Sequence, residues 1–350
     1  MSAEVLPPLT SVRLHDEFDL LRPGLVAHCY RMTGSYQDAE DVVQDTYLRA
    51  VRGRAGFEGR SSVKTWLYRI ATNTCVSALS HRSRRVLPAG LGAPETDPDA
   101  RVHSDESIAW LEPLPDALLH HRDDEPGEVV VLRESVRLAL IAALQYLPVR
   151  QRAALLLREV LSWSAAEIAE TLGVSVPAVK SLLQRARRRL DELDLTDLRP
   201  RQPDLELERA LLARYVTAFE AGDSAAIREV IHDDFSLEAV PHPVWFRGVR
   251  VCVPFLEKNF AARNGDVRML PTRANGQPAA AGYRRDGSGV LRADCLWVLT
   301  VTGDRISRSV KFENPGLVVA AGLPEQLTPQ LPDFARERLA GRARPASRLK

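Results

Sequence analysis

Residues 177–189 carry five cations and no acid, directly behind a glycine-containing turn, Leu172-Gly173-Val174. Turned through 100° per residue, Val176, Val179, Leu182, Leu183, Ala186 and Leu190 share one face, while Pro177, Lys180, Ser181, Gln184, Arg185 and Arg188 share the opposite one. Such a segment is a helix with one side for a core and one for an anion. Upstream, Ser164-Ala165-Ala166-Glu167 has the spacing of a reciprocal N-terminal cap, hydroxyl to amide and carboxylate back to amide, and Ser175 offers a second cap after the turn. Helix, short turn and second helix with a basic outer face form the helix-turn-helix plan, whose second helix lies in the major groove. Gln184 then suits an adenine edge and Arg185 or Arg188 a guanine edge, while Arg187 and Arg189, on the flanks, suit phosphates. A solvated basic helix on an ordinary helical hairpin is the plainer alternative.

A chain of 350 residues is long enough for two or three domains, and 45% hydrophobic residues supply their cores. Its 47 basic and 46 acidic residues leave a formal charge of +1, so DNA binding requires that charge be segregated along the chain. It is segregated. Glu95, Asp97, Asp99, Asp105, Glu106, Glu112, Asp116, Asp123, Asp124, Glu125 and Glu128 form an acidic stretch between Arg82, Arg84 and Arg85 and the basic cluster at 180–189. Cys29, Cys75, Cys252 and Cys295 are scattered without a CxxC pair, which suggests neither a zinc site nor a disulfide framework, and no cofactor is implied. The N-terminus lacks a basic start followed by an apolar run and no stretch is as long as a membrane span, so the expectation is a cytoplasmic protein without a membrane partner.

The expected organisation is an N-terminal tail over 1–14, a helical unit over 15–85, an acidic linker over 86–128 and a second helical unit over 129–196. A third unit over 205–322 and a Pro- and Arg-rich tail over 323–350 follow. The first unit reads as helices near 15–32, 36–53 and 62–81. The linker reads as extended and contains an apolar island, Trp110 to Asp116. The third unit opens with helices at 205–221 and 225–231, then gives strands at 235–239, 244–246, 267–272, 279–283, 289–302 and 305–312, with a helix near 249–262. The sum is helices packed on a curved antiparallel sheet, an α+β plan.

On the second helix Ala39, Val42, Val43, Tyr47 and Ala50 form the buried stripe, and Asp41, Gln44, Asp45 and Leu48 lie opposite. A leucine centred in an acidic outer face has the composition of a protein-binding hot spot, although a stray exposed leucine is the commoner case. The third helix buries Val63, Leu67, Ile70, Ala71 and Ala78 and exposes Thr65, Arg69, Thr72 and Asn73, with Trp66 at the edge. The loop before it holds Phe57, Arg60, Ser61 and Ser62. Aromatic rings beside arginines and small polar groups suit single-stranded DNA, and Trp66 sealing a core is the alternative.

The run from Asp38 to Ala50, followed by Phe57, Gly59, Ser61-Ser62, Thr65 to Ala71 and Asn73, resembles domain 2 of the extracytoplasmic-function sigma factors of the sigma-70 family. Leu147-Pro148, Arg150 to Arg152, Ala165 to Leu172 and Val179 to Arg187 resemble their domain 4. The resemblance implies that Asp41, Gln44, Asp45 and Leu48 dock on the clamp helices of core RNA polymerase, with the polymerase flap as a further contact. It implies that Arg60, Ser61, Ser62, Trp66, Arg69 and Asn73 capture the minus-10 promoter element. Lys180, Ser181, Gln184, Arg185 and Arg188 would read the minus-35 element, and the acidic linker would thread the polymerase cleft. Leu182 stands where many members have arginine and Gln184 where histidine is frequent, which leaves promoter preference open.

Residues 205–322 resemble a SnoaL-like domain of the nuclear transport factor 2-like superfamily, and the whole chain resembles the sigma subgroup that carries one, including the Trp110–Asp116 island and Ala274 to Pro278. The implied fold is thus two all-α sigma domains, a helical bundle and a helix-turn-helix, plus a cone-shaped α+β domain. Tyr215, Phe235, Trp245, Phe246, Tyr283, Trp297 and Phe312 are candidates to line a pocket for a small-molecule ligand, with Asp233, Asp234 and His242 near its mouth. The expected protein is a promoter-specificity subunit, not an enzyme, tuned by its C-terminal domain. Two other readings stay open here: a ligand-sensing helix-turn-helix regulator, and a sigma-like protein with a catalytically active third domain that uses Asp234 or His242 as base.

Overall fold

The computed structural model describes residues 9–119, 132, 135–193, 204–263 and 267–327. The expected tails up to residue 8 and from 328, the linker acids Asp123, Asp124, Glu125 and Glu128, and the start of the second helical unit at Val129 lie outside the described residues. By contacts the chain separates into two compact units, 9–92 with 104–193 and 93–103 with 204–327.

In the first unit α1 (Ser11–Thr33), α2 (Tyr36–Gly53) and α3 (Val63–Leu79) pack together. Gly34 ends α1 in the left-handed region at φ 72°, its N–H bonded to the Tyr30 carbonyl, and Ser35 at once caps α2 by accepting from the Asp38 amide at 3.1 Å. Gly24 permits the approach of α1 to α3, since a Cβ there would lie 2.5 Å from the Tyr68 hydroxyl. Ala39, Val42, Val43 and Ala50 are buried as the periodicity predicts, but so is Thr46, whose hydroxyl returns to the Val42 carbonyl at 2.7 Å. On α3 Ile70, expected inside, and Thr65 and Arg69, expected outside, are half-buried, and two positions reverse the pattern outright. Thr72 is buried because its hydroxyl bonds the Tyr68 carbonyl and the ring of His28, and Ala78 is exposed in the last turn of the helix.

The apolar island of the linker is packed rather than loose. Leu111 and Leu114 are fully buried, and Val86 pairs with Trp110 as a parallel bridge. Tyr30 donates to the Glu112 carbonyl at 2.9 Å, and Ser35 Oγ donates to the Glu112 carboxylate at 2.6 Å. Glu112 is therefore engaged within the unit and Asp116 is buried, so these two acids are not displayed as the linker's composition suggested.

The second helical group comprises α4 (Leu138–Leu144), α5 (Val149–Glu159), α6 (Ala165–Leu172) and α7 (Val176–Asp191). It packs on the first. Arg152 of α5 donates to the carbonyl of Met32 on α1, and to the Gln145 side chain, the Gln145 carbonyl and the Leu147 carbonyl at 2.6, 3.2 and 3.1 Å.

The second unit holds α8 (Leu205–Ala221), α9 (Ser224–Val230), β1 (Ile231–Val240), β2 (Phe246–Arg247), α10 (Val249–Arg263), β3 (Val267–Ala274), β4 (Gln277–Arg285), β5 (Leu291–Thr302), β6 (Arg305–Phe312), α11 (Pro315–Ala320) and β7 (Gln326–Leu327). The sheet order is β2-β1-β6-β5-β4-β3, with β7 on β5. The expected antiparallel sheet is mixed, because β1 pairs with β6 in parallel. The β3 to β6 meander is antiparallel throughout, and β1 reaches its edge through the long crossover that contains α10. Asn275 and Gly276, at φ 56° and 65°, form the two-residue turn between β3 and β4, the strongest local hairpin signal. Residues 93–103 belong to this unit: Glu95 N–H donates to the Trp245 carbonyl at 2.7 Å, and Ala100 and Val102 pack against its core.

At the centre of that core Phe219 meets Trp297 edge to face, and Trp297 lies on Gly282, where a Cβ would be 2.2 Å from the indole. Gly282→Ala is therefore expected to cost about 1–3 kcal/mol by overpacking. A lower calorimetric melting temperature of the C-terminal domain would show it, and an unchanged one would mean that the indole swings aside freely. Among the described residues no helix is long and apolar enough to cross a membrane, and the four cysteines are buried and free.

Candidate nucleic-acid and protein interfaces

The helix-turn-helix forms through its caps. Ser164 Oγ accepts from the Glu167 amide at 3.2 Å while the Glu167 carboxylate accepts from the Ser164 amide at 2.7 Å, and these bonds hold the Glu167 carboxyl below its usual range. Gly173 turns the chain at φ 62°, and Ser175 caps α7 with Pro177 in its first turn. Ile168, Leu172, Val179, Leu183 and Ala186 are buried, and Lys180, Ser181, Gln184, Arg185 and Arg188 all face solvent along one stripe. Val176, expected inside, is exposed because it opens the helix ahead of the packed turns, and Leu182 and Leu190 are half-buried. Arg187 pairs with Glu159 at 2.6 Å and Arg188 with Glu192 at 3.8 Å. These exposed pairs are weak enough to yield to a phosphate.

On α2, Asp41 and Gln44 are exposed, Asp45 is half-buried and paired with Arg49 at 2.9 Å, and Leu48 keeps 45% of its surface in solvent. Beside them a groove of about 290 Å³ runs between α1 and α2, lined by His15, Phe18, Arg22, Asp41, Gln44 and Tyr47. Leu20 of α1 is also exposed, and sequence reading missed it. The signal existed: at helical spacing Leu20 shares a face with Arg13, Asp16 and Glu17, just as Leu48 shares one with carboxylates.

Along α3, Ser62, Trp66, Arg69 and Asn73 follow at spacings of four, three and four, which forms one stripe. Ser62 is also the helix cap, accepting from the Thr65 amide at 3.1 Å. Trp66 is half-buried against Phe57, ring centroids 5.0 Å apart, and Ser61 is half-buried in the loop, where exposed Arg60 pairs with Glu58 at 3.1 Å. Asn73 is exposed. Arg69, in contrast, donates to Glu170 of α6 at 2.7 Å, so one member of the stripe is held by the helix-turn-helix group.

In the C-terminal domain the aromatic residues expected to line a pocket fill the interior instead. Tyr215, Phe235, Phe246 and Trp297 belong to the hydrophobic core, and Tyr215, Phe235 and Tyr283 retain no exposed surface. Trp245 and Phe312 are likewise buried, and Tyr283 donates to the Pro324 carbonyl at 2.9 Å. Asp233 is exposed. Asp234 accepts from Nε and Nη2 of Arg247, one bond to each carboxylate oxygen, which holds its carboxyl below the usual range and makes it a poor base at neutral pH. His242 bonds Glu313 at 3.1 Å. That bond raises the imidazole pKa and, with Lys311 at 2.6 Å, brings the Glu313 carboxyl down to about 2. Both candidate bases are thus structural ion-pair partners.

The family model for Sigma-70 region 2 matches residues 18–85, that for Sigma-70, region 4 matches 137–190, and that for the SnoaL-like domain matches 212–309. The chain is 47% identical over 310 residues to the ECF RNA polymerase sigma factor SigG of Mycobacterium tuberculosis, across 87% of this chain and 82% of the relative. It is 34% identical over 179 residues to the RNA polymerase sigma-H factor of Pseudomonas aeruginosa, across 50% of this chain and 84% of that one. The crystal structure of the Mycobacterium tuberculosis extracytoplasmic function sigma factor SigJ aligns with a TM-score of 0.58 at 22% identity, over 89% of this chain and all of that chain, a likeness of fold.

Proposed function

The chain belongs to the extracytoplasmic-function sigma factors of the sigma-70 family, with a C-terminal SnoaL-like domain, and on that premise we propose how its surfaces are used. The α2 face of Asp41, Gln44, Asp45 and Leu48 docks on the clamp of core RNA polymerase. The α3 stripe with Arg60 to Ser62 takes the minus-10 element, and Lys180, Ser181, Gln184, Arg185 and Arg188 take the minus-35 element. The observation that carries this reading is that one chain exposes both an acidic, leucine-centred face and a basic helix-turn-helix face.

Promoter engagement requires the two helical groups to part. A compact chain of about 190 residues has a radius of gyration of about 16 Å. Elements 25 base pairs apart are separated by roughly 85 Å of duplex. The packed arrangement is therefore a resting form in which Arg69 is withheld by Glu170. Glu170→Arg is expected to raise the isolated chain's affinity for a single-stranded minus-10 oligonucleotide by about two- to fivefold, since an exposed pair contributes no more than about 1 kcal/mol. Fluorescence anisotropy measures it, and no change would mean that Arg69 is accessible in the resting form.

The C-terminal domain acts as regulator rather than catalyst. The observation in favour is that residues 93–103, part of the connection between the two helical groups, are stapled to it through Glu95, Ala100, Val102 and an Asp99–Lys258 pair at 3.0 Å. Run-off transcription with core polymerase and a promoter library, comparing the full chain with one ending at residue 200, tests both parts. Initiation only when core enzyme is present, at a rate that depends on the C-terminal domain, is the expected result. Tight footprinting by the chain alone would favour a conventional regulator.

A further inference from the structure

A cleft of about 300 Å³ opens where the segment after α3 meets α5 and α7, within the first unit. Arg82, Arg84, Arg85, Arg152 and Arg189 line it, and no aspartate or glutamate does. Asp38 stands behind the wall and is shared by Arg82 at 2.7 Å and Arg85 at 2.8 Å. Five guanidinium groups against one carboxylate leave an excess of four positive charges around a space at the lower end of small-molecule sites. Like charges so arranged repel one another, and the arrangement gains most from a multivalent anion.

Two of the arginines, Arg84 and Arg189, have N–H groups to offer a ligand, and a third, Arg152, contributes buried positive charge behind them. Arg152 is 4% exposed, its terminal nitrogens meet only carbonyl oxygens, and its Nε has no hydrogen-bond partner. Burial lowers its pKa only to about 10, so it remains a cation at neutral pH with no carboxylate beside it. Arg84 lies over the Tyr146 ring at 4.0 Å from the centroid, which fixes the guanidinium plane and leaves its N–H edges for an acceptor. Arg189 is exposed on the flank of α7, away from the Lys180 to Arg188 stripe. Its neighbours Arg187 and Arg188 have carboxylate partners, whereas none is seen for Arg189 among the described residues.

We propose that this arginine-lined cleft binds a small diphosphate-bearing anion, either inorganic pyrophosphate or the phosphate chain of a nucleotide. Arg82, Arg84 and Arg85 come from the minus-10 group, and Arg152 and Arg189 from the helix-turn-helix group, so the site is complete only while the two are packed together. A bound diphosphate stabilises the resting form. The site is separate from the face that meets DNA bases and stands whether or not that face reads promoters.

The test is calorimetric titration of the full-length chain with sodium pyrophosphate, ATP, GTP and sodium sulfate at one fixed ionic strength, together with thermal melting in each. Saturable pyrophosphate binding, a raised melting temperature and at least about tenfold weaker binding by R84A and R189A are expected, one lost charge-assisted contact each. Nucleotides binding as tightly as pyrophosphate would identify the nucleotide as ligand, and weaker nucleotide binding would identify the inorganic ion. R189Q, at an exposed position, repeats the test if R84A disturbs the Tyr146 stack. Absence of saturable binding, equal binding of sulfate, or unaltered affinity in both Arg189 variants overturns the proposal. So does failure of pyrophosphate to compete while a duplex of unrelated sequence binds the same arginines.

Discussion

Replacing Asp41, Gln44 and Leu48 together by alanine is expected to lower the affinity for core RNA polymerase by about 100-fold or more, with no loss of helix. The three side chains are exposed on one face of α2 and make no contact that the fold needs, whereas Asp45, tied to Arg49, can remain. Alanine is the best helix former, so the backbone keeps its geometry. The expected size follows from hot-spot behaviour: a desolvated apolar residue ringed by polar groups contributes about 2 kcal/mol or more on truncation, and flanking residues add to it without strict additivity. Leu48→Ala alone should account for most of the loss, because burial of an exposed leucine is favourable only when a partner covers it. Competition against a labelled sigma factor for core enzyme, with circular dichroism as the control, measures it. Full competition and unchanged run-off transcription by the triple variant would remove polymerase docking from this face.

What could be read in advance was what is local. The α7 stripe, the Ser164–Glu167 box and the Ser175 cap depend on residues within one or two turns of each other, and they stand in the structure as the spacing implies. The Arg69–Glu170, Arg152–Met32 and Ser35–Glu112 bonds join positions 101, 120 and 77 residues apart, and no periodicity encodes such a meeting. That is why Glu112 reads as a displayed linker acid and is in fact a buried-edge acceptor. Strand positions were legible from β-branched and aromatic runs, but the direction of β1 against β6 is set by the crossover between them rather than by either strand's residues. Aromatic residues in the C-terminal domain illustrate the same limit: the resemblance to the SnoaL-like fold implies that Tyr215, Phe235 and Tyr283 surround a pocket, and only packing shows that they are fully buried.

Arg152→Met is expected to destabilise the N-terminal unit by about 3 kcal/mol, and the sign is not obvious, because burying the cation is itself unfavourable. A guanidinium whose pKa falls to about 10 from 12.5 has lost about 3 kcal/mol of charged-state solvation, which methionine would recover. Against this stand four bonds to carbonyl oxygens, each contributing about 1.5 kcal/mol or more when the donor is charged. Three of those acceptors are backbone groups that cannot be substituted away, so methionine leaves them buried and unpaired. The bonds win by roughly the stated margin, equivalent to a fall of about 6–12 °C in the melting temperature of a unit this size. Arg152→Lys keeps the charge but not the planar fork that spans Met32, Gln145 and Leu147, and it should fall between the two. Calorimetry of the full chain, with hydrogen exchange at the amides of α5 to assign the affected transition, decides it. A methionine variant as stable as the parent would mean that water takes over all of those carbonyls and that Arg152 adds nothing to the packing of the two helical groups.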